Sequence, residues 1–170
     1  YTLVGSLAML AALIVLGSFS SSYSYEDLRQ VSLPAGYACW IMSGFLLAFA
    51  IKIPLFPFHT WQPATYSSAP MAGTMLLSAL MLKMALFGMI KWMLPLTSEG
   101  LECMRWPVII LGSIGIVYGA LIAIKQNDIK KIFAYASISH LGLIAAGIML
   151  YTTSAMQGAM IQIINHSLIS

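Results

Sequence analysis

The sequence LLSALMLKMALF, from Leu76 to Phe87, places a single lysine, Lys83, inside an apolar run. Apolar and small residues continue for two or three helical turns on either side, so that the run covers residues 70–94. A helix needs roughly 20 apolar residues to cross the hydrocarbon core of a bilayer, which is about 30 Å thick. The segment therefore predicts a membrane-spanning helix with an ionisable group midway along it.

The composition of the whole chain supports a membrane protein. Of the 170 residues, 60% are hydrophobic and 8% are charged, whereas a soluble domain has about 25% charged residues. So few polar side chains cannot cover a soluble globule, which excludes a soluble enzyme or binding domain. The hydrophobicity also excludes disorder. The net charge of +3 lacks the Lys/Arg run typical of nucleic-acid binding, so the expected surroundings are lipid, not nucleic acid.

Six apolar stretches are long enough, or nearly so, to cross a bilayer. They cover residues 1–20, 37–54, 70–94, 107–124, 130–151 and 155–170. Backbone groups in lipid must be hydrogen-bonded internally, and no alternating pattern suggests a barrel. The sequence thus predicts an all-α, polytopic transmembrane helix bundle of about six spans, forming a single domain over 1–170. Because apolar runs are cut at both ends of the chain, we expect it to be an internal fragment of a longer protein.

The charged residues of the connections predict the orientation. Alternate connections share a side of the membrane, so the lysine-rich loop Lys125–Lys131 lies opposite the connections 20–36 and 95–106. Those two connections hold four carboxylates and two arginines. The positive-inside rule places Lys125–Lys131 on the cytoplasmic side, or on the matrix side in a mitochondrion.

Two lysines lie inside predicted spans, Lys52 in the second and Lys83 in the third. A charge at mid-bilayer costs at least ~2.5–3.5 kcal/mol, so such residues usually face the bundle interior and mark an ion or proton path. Burial favours the neutral form of lysine and so makes it suitable for proton transfer. The alternative is a lysine that reaches the headgroups with its long side chain. No carboxylate of this sequence lies at mid-membrane depth, so a carboxylate partner is expected from elsewhere in a longer chain.

Two prolines, Pro54 and Pro57, follow Lys52 closely. Proline removes a backbone donor and clashes with the preceding turn, so the helix is expected to break just after Lys52. Transporters place ion sites at such breaks, where backbone groups are freed inside the protein. The alternative is that these prolines simply end a span.

Histidines occupy the last two predicted spans, His140 in the fifth and His166 in the sixth. Histidine titrates near neutral pH and can pass a proton between its two ring nitrogens. Each is alternatively a hydrogen-bonded packing residue.

Cys39 and Cys103 lie far apart in sequence and form no CxxC pair, so we interpret them as inert apolar residues. No metal-ligand spacing occurs, and Gly115 and Gly119 suit close helix packing.

Several motifs together resemble the antiporter-like membrane subunits of NADH:quinone oxidoreductase, or respiratory complex I, of the subunit-M (subunit-4) type. The resemblance covers the chain from about Gly36 onward. It rests on IKIPLFPFHTWQP at 51–63, AP at 69–70, LK at 82–83, QNDIK at 126–130, AYASISHLG at 134–142 and IINH at 163–166.

The resemblance implies about fourteen spans in the complete subunit, of which these six would be the sixth to eleventh. It implies that Lys52 is the lysine of the broken seventh span, and that Lys83, His140 and His166 continue a proton relay. Electron transfer would occur in partner subunits that carry FMN and iron–sulfur clusters, and quinone would bind elsewhere in the complex. This chain would have no redox cofactor and no active site of its own. Neighbouring antiporter-like subunits would be its membrane partners, in a bacterial cell inner membrane or a mitochondrial inner membrane.

Two positions depart from the family pattern. Ala64 stands where the family usually has a charged residue, and Ser68 replaces a frequent acidic or amide residue. Two other functions remain open on the sequence. A subunit of a multi-subunit sodium/proton antiporter would use the same lysines, and a purely structural membrane anchor would tolerate their replacement by methionine.

Overall fold

The computed structural model describes residues 1–169, with Ala35 described by its backbone alone. Each of the six predicted stretches carries a helix. These are α1 (Thr2–Gly17), α3 (Ala35–Lys52), α5 (Met71–Leu96), α6 (Leu101–Ile124), α7 (Ile129–Leu150) and α8 (Thr153–Ile169). Two short helices, α2 (Tyr25–Arg29) and α4 (Trp61–Ser68), lie in the connections. No strand occurs in the described residues, so the prediction of an all-α bundle is confirmed.

Three of these helices are long and apolar enough to cross a membrane on their own, namely Met71–Leu96, Ser98–Ile124 (α6 with its preceding 3₁₀ turn) and Ile129–Leu150. Thr2–Gly17 and Gly36–Lys52 are shorter apolar helices. The α5 helix contains two π-helical turns, Leu77–Met81 and Met89–Met93, in place of regular α-helical turns. π-Helical turns are rare and are often found at functional sites.

The helix break is where the sequence predicts it. The α3 helix ends at Lys52, and an irregular segment with Pro54 and Pro57 leads to α4. At the end of α3, the Trp61 indole N–H donates to the Ile51 carbonyl over 2.8 Å. Because the last carbonyls of a helix have no partner within it, this bond satisfies one of the groups that the break exposes.

Two contacts support the prediction that alternate connections lie at the same end of the bundle. The Leu33 backbone N–H donates to the Glu99 carboxylate over 2.6 Å, which joins the first and third connections. The Lys130 ammonium donates to the Ala69 carbonyl over 2.7 Å, which joins the lysine-rich loop to the α4–α5 junction. The acidic connections therefore share one end of the bundle, and the lysine-rich loop lies at the other.

The third connection is shorter than predicted. We expected residues 95–106 to lie outside the spans, but α6 begins at Leu101 and includes Pro107. Glu102 and Arg105, one helical turn apart, form a 3.0 Å ion pair on its first turns. A carboxylate in the first turn interacts favourably with the positive end of the helix dipole, and so helps the helix to begin before the proline.

Cys39 and Cys103 form a disulfide, with their Cα atoms 6.2 Å apart. The interpretation of these residues as inert cysteines is therefore wrong. Cys39 lies in the first turns of α3 and Cys103 in the first turn of α6. Because both helices begin at the end of the bundle that holds the acidic connections, two residues separated by 64 positions in sequence become neighbours.

Glycines allow α6 and α7 to approach closely. An added Cβ at Gly112 would lie 2.7 Å from the Gly142 carbonyl oxygen, and one at Gly119 would lie 2.8 Å from the Tyr135 carbonyl oxygen. Gly119 thus has the packing role predicted for it. Gly115 does not contact α7 in this way, since its nearest neighbour is Phe56 of the irregular segment.

Candidate functional site

Lys83 lies midway along α5 and contacts α8. Its ammonium lies 2.8 Å from Nδ1 of His166 and donates to the Ser78 carbonyl over 2.5 Å. Ser78 belongs to the π-helical turn Leu77–Met81, one turn before Lys83. An ammonium has only donors, so the charged lysine requires Nδ1 of His166 to be the acceptor, and the neutral ring then carries its proton on Nε2.

His140 completes this cluster from α7. Its ring lies edge-on to that of His166, with centroids 5.8 Å apart. His166 is buried, at 2% exposure. Three of the predicted site residues, Lys83, His140 and His166, therefore come together from three helices. We call this group the Lys83 cluster. When a lysine ammonium lies beside a histidine nitrogen, a proton can pass from one residue to the other without a large movement of either side chain.

Lys52 lies apart from the Lys83 cluster. It is half-buried in the last turn of α3, where the negative end of the helix dipole favours a cation. Within residues 1–169, no carboxylate forms an ion pair with its ammonium. The structure brings together three of the four predicted relay residues and leaves Lys52 at the helix break.

A cavity of about 230 Å³ lies beside the Lys83 cluster. Its polar lining comprises Tyr66, Thr74, Ser78, Lys130 and Ser137, and the rest is apolar. The Ser78 carbonyl also accepts a hydrogen bond from the Lys83 ammonium, and Lys130 lies at the start of α7, within the lysine-rich segment Lys125–Lys131. The cavity therefore extends between the lysine-rich end of the bundle and a direct neighbour of Lys83.

Sequence reasoning missed two buried polar residues of α4, Gln62 and Tyr66. They are 0% and 2% exposed. Their spacing of four residues places them on one face of α4, which is the signal that could have identified them. His59 is also buried, with its ring against those of Phe56 and Tyr118. In the part of the chain that the structure describes, no group of three or more potential metal ligands occurs.

Comparisons with known proteins agree with this architecture. The family model described as NADH:quinone oxidoreductase/Mrp antiporter, TM, matches residues 1–170. The chain is 35% identical over 170 residues to NADH-ubiquinone oxidoreductase chain 4 of Metridium senile, covering 100% of this chain and 35% of that relative. It is 38% identical over 178 residues to NADH-quinone oxidoreductase subunit M of Escherichia coli K12, covering 99% of this chain and 34% of that relative.

A solved structure is also similar. A chain of respiratory complex I from Thermus thermophilus with bound NADH superimposes with a TM-score of 0.90 at 34% identity, covering 98% of this chain and 36% of that one. The fold and the Lys83 cluster, in which His166 is buried and the other two residues are half-buried, define an α-helical integral membrane protein of the antiporter-like type. More specifically, the chain belongs to the NADH:quinone oxidoreductase/Mrp antiporter membrane-subunit family. It spans about a third of the length of the relatives that it matches.

Proposed function

We propose that this chain is part of a proton-translocating membrane subunit of an NADH:quinone oxidoreductase. The observation that carries the proposal is the 2.8 Å contact between the Lys83 ammonium and His166, beside His140, at the middle of a long apolar helix. A half-buried lysine against a buried histidine would, if the pair served packing alone, cost desolvation free energy that apolar side chains would not. Proton transfer gives such a pair a function.

In this proposal, protons pass between Lys83, His166 and His140 inside the membrane. Lys52, at the end of the broken helix, exchanges protons with an inlet, and its carboxylate partner belongs to another part of a longer, roughly fourteen-span subunit. The chain has no active site of its own. FMN and iron–sulfur clusters in partner subunits carry the electrons, quinone binds elsewhere in the complex, and neighbouring antiporter-like subunits are the membrane partners.

The proposed orientation has two independent supports. The positive-inside rule assigns the lysine-rich loop Lys125–Lys131 to the cytoplasmic or matrix side of an inner membrane. The Cys39–Cys103 disulfide lies at the opposite end of the bundle, and disulfides persist in oxidising compartments such as the periplasm. Both observations favour an outer-side location for the acidic connections.

The test uses the full-length parent in its assembled complex. Lys83→Met should retain NADH:quinone activity in detergent but lose the proton translocation assigned to this subunit, measured as the proton-to-electron ratio in sealed vesicles. A wild-type ratio in Lys83→Met would refute the proposed relay and would favour a structural role for the lysine.

The family also includes Mrp antiporters, and purification distinguishes the two activities. The parent complex of an NADH:quinone oxidoreductase should show flavin and iron–sulfur absorbance and inhibitor-sensitive NADH:quinone activity. A colourless complex that exchanges sodium for protons in vesicles would favour the antiporter. The 35% and 38% identity to subunits named as NADH oxidoreductase components supports the first outcome.

A further inference from the structure

The helix break after Lys52 changes the hydrogen bonding of the last turn of α3. In a regular helix the Ala50 carbonyl would accept from the backbone N–H of residue 54, but Pro54 has no N–H. The Leu55 N–H donates to the Ala50 carbonyl instead, over 2.9 Å. In a regular helix that N–H would serve the Ile51 carbonyl, which therefore loses its backbone donor.

The indole of Trp61 supplies the missing donor. Its Nε1–H donates to the Ile51 carbonyl over 2.8 Å, and Ile51 is buried, at 3% exposure. The bond has a direct consequence for Lys52, because the Ile51 carbonyl and the Lys52 N–H belong to one planar peptide group. A bond that fixes this carbonyl also fixes the plane from which the Cα atom and side chain of Lys52 project.

Trp61 is itself held by a helix that packs elsewhere in the bundle. It is half-buried at the first position of α4, and its own carbonyl accepts from the Thr65 hydroxyl over 2.7 Å. The α4 helix packs against α7, which carries His140. The indole bond therefore attaches the end of α3, with Lys52, to the part of the bundle that holds a member of the Lys83 cluster.

Two other helix ends of this protein use a nearer donor. The Ser18 hydroxyl donates to the Val15 carbonyl over 2.6 Å at the end of α1, and the Gln126 amide donates to the Ile122 carbonyl over 3.4 Å at the end of α6. Both donors come from residues that closely follow their own helix. A local cap of this kind would satisfy a carbonyl of α3, but it would not fix the end of α3 relative to α4 and α7.

We propose that Trp61 is a positioning residue for Lys52, whose indole N–H holds the peptide group of the lysine, and with it the ammonium, where protons are exchanged. A lysine in the last turn of a helix can hydrogen-bond the last carbonyls. Without the indole N–H, the Ile51 carbonyl becomes such an acceptor and holds the ammonium at the helix end, away from its transfer partner. The indole is only a donor and takes no proton itself. This inference rests on the proposed role of Lys52 in proton translocation.

The test compares Trp61→Phe with Trp61→His in the full-length parent within its complex. Trp61→Phe keeps an apolar ring and removes the N–H. Trp61→His has a smaller ring, but its Nε2 occupies the same ring position relative to Cγ as the indole nitrogen and can donate to the Ile51 carbonyl. Loss of one hydrogen bond should lower the population of the productive Lys52 arrangement by roughly 2- to 13-fold. The proton-to-electron ratio of Trp61→Phe should thus fall toward that of Lys52→Met, while NADH:quinone activity is retained.

The order of the two variants separates positioning from packing. If the N–H is what matters, Trp61→His should pump better than Trp61→Phe, measured at about pH 8, where an ordinary histidine is mostly neutral. If the indole only fills space, Trp61→Phe has the larger apolar ring and should pump as well or better, and that result would overturn the inference.

A matched control and a second variant keep the test decisive. Trp40→Phe makes the same change on α3, at a side chain that is 79% exposed, and should keep the wild-type ratio. If Trp61→Phe does not assemble, the ratio of Trp61→His decides. A ratio near wild type would support the positioning bond, and a ratio equal to that of Lys52→Met would overturn it.

The failure of this inference can be distinguished from failure of the proposed function. If Lys52→Met loses translocation but Trp61→Phe pumps like wild type, the positioning bond is refuted and the relay stands. If Lys52→Met pumps like wild type and Lys83→Met does not, Lys52 leaves the relay and the inference fails with it. Wild-type ratios in both lysine variants would refute the proposed function itself.

Discussion

Replacement of Lys83 by arginine separates the charge of this residue from its ability to release a proton. Among residues 1–169, the Lys83 ammonium contacts two acceptors, the Ser78 carbonyl at 2.5 Å and Nδ1 of His166 at 2.8 Å. A guanidinium also has only donors and remains charged, so it can keep both interactions. We therefore expect Lys83→Arg to assemble normally and to lose proton transfer.

The expected slowing of proton release follows from the difference between the ordinary pKa values of lysine and arginine. The ordinary pKa of arginine lies about 2–3.4 units above that of lysine, and one unit corresponds to about 1.36 kcal/mol. Because both cations would contact the same two acceptors, the environment affects them similarly to first order. Releasing a proton from the introduced guanidinium should thus cost about 3–5 kcal/mol more, which slows a release-limited step by roughly 100- to 2,500-fold.

The assay is proton uptake by sealed vesicles during NADH oxidation, with the same amount of assembled complex. The matched control is Lys91→Arg, on the same helix, since the Lys91 ammonium lies over the Tyr25 ring at 5.5 Å from its centroid and arginine can keep that contact. Lys91→Arg should pump normally. Normal pumping by Lys83→Arg would refute the reasoning, because it would show that this site needs a positive charge and not a transferable proton.

Three further predictions concern other parts of the chain. Lys52→Met should abolish the proton translocation assigned to this subunit in the assembled complex, and a wild-type proton-to-electron ratio would remove this residue from the relay. Gly119→Ala should lower the free energy of unfolding by about 1–3 kcal/mol, because its Cβ would meet the α7 backbone at 2.8 Å. The control Gly158→Ala, with open space around the added Cβ, should melt like wild type. Equal melting temperatures for the two variants would contradict the close approach. Mass spectrometry of unreduced membranes should find the peptide of Cys39 linked to that of Cys103, and free thiols at both positions would contradict the pairing.

The features that the sequence predicts correctly depend on residues that are neighbours in the chain. Hydropathy over a span length depends on consecutive residues, so the positions of the apolar helices follow from the sequence. The end of α3 at Lys52 follows from the prolines after it. The predicted start of α6 is too late, because Pro107 and the charges of Glu102 and Arg105 suggest a loop. In the structure, an ion pair between those two charges stabilises the first turns of the helix instead.

The order of residues alone establishes the class of this protein, its helices and the presence of lysines and histidines where a bilayer makes them costly. Which of these residues meet depends on tertiary packing. Lys83 and His166 are 83 positions apart in sequence, and their contact depends on how α5 and α8 are rotated about their axes. That rotation is set by packing between helices, such as the packing of α8 against α7. Hydropathy carries no information about it, because all these helices are apolar on most of their surface.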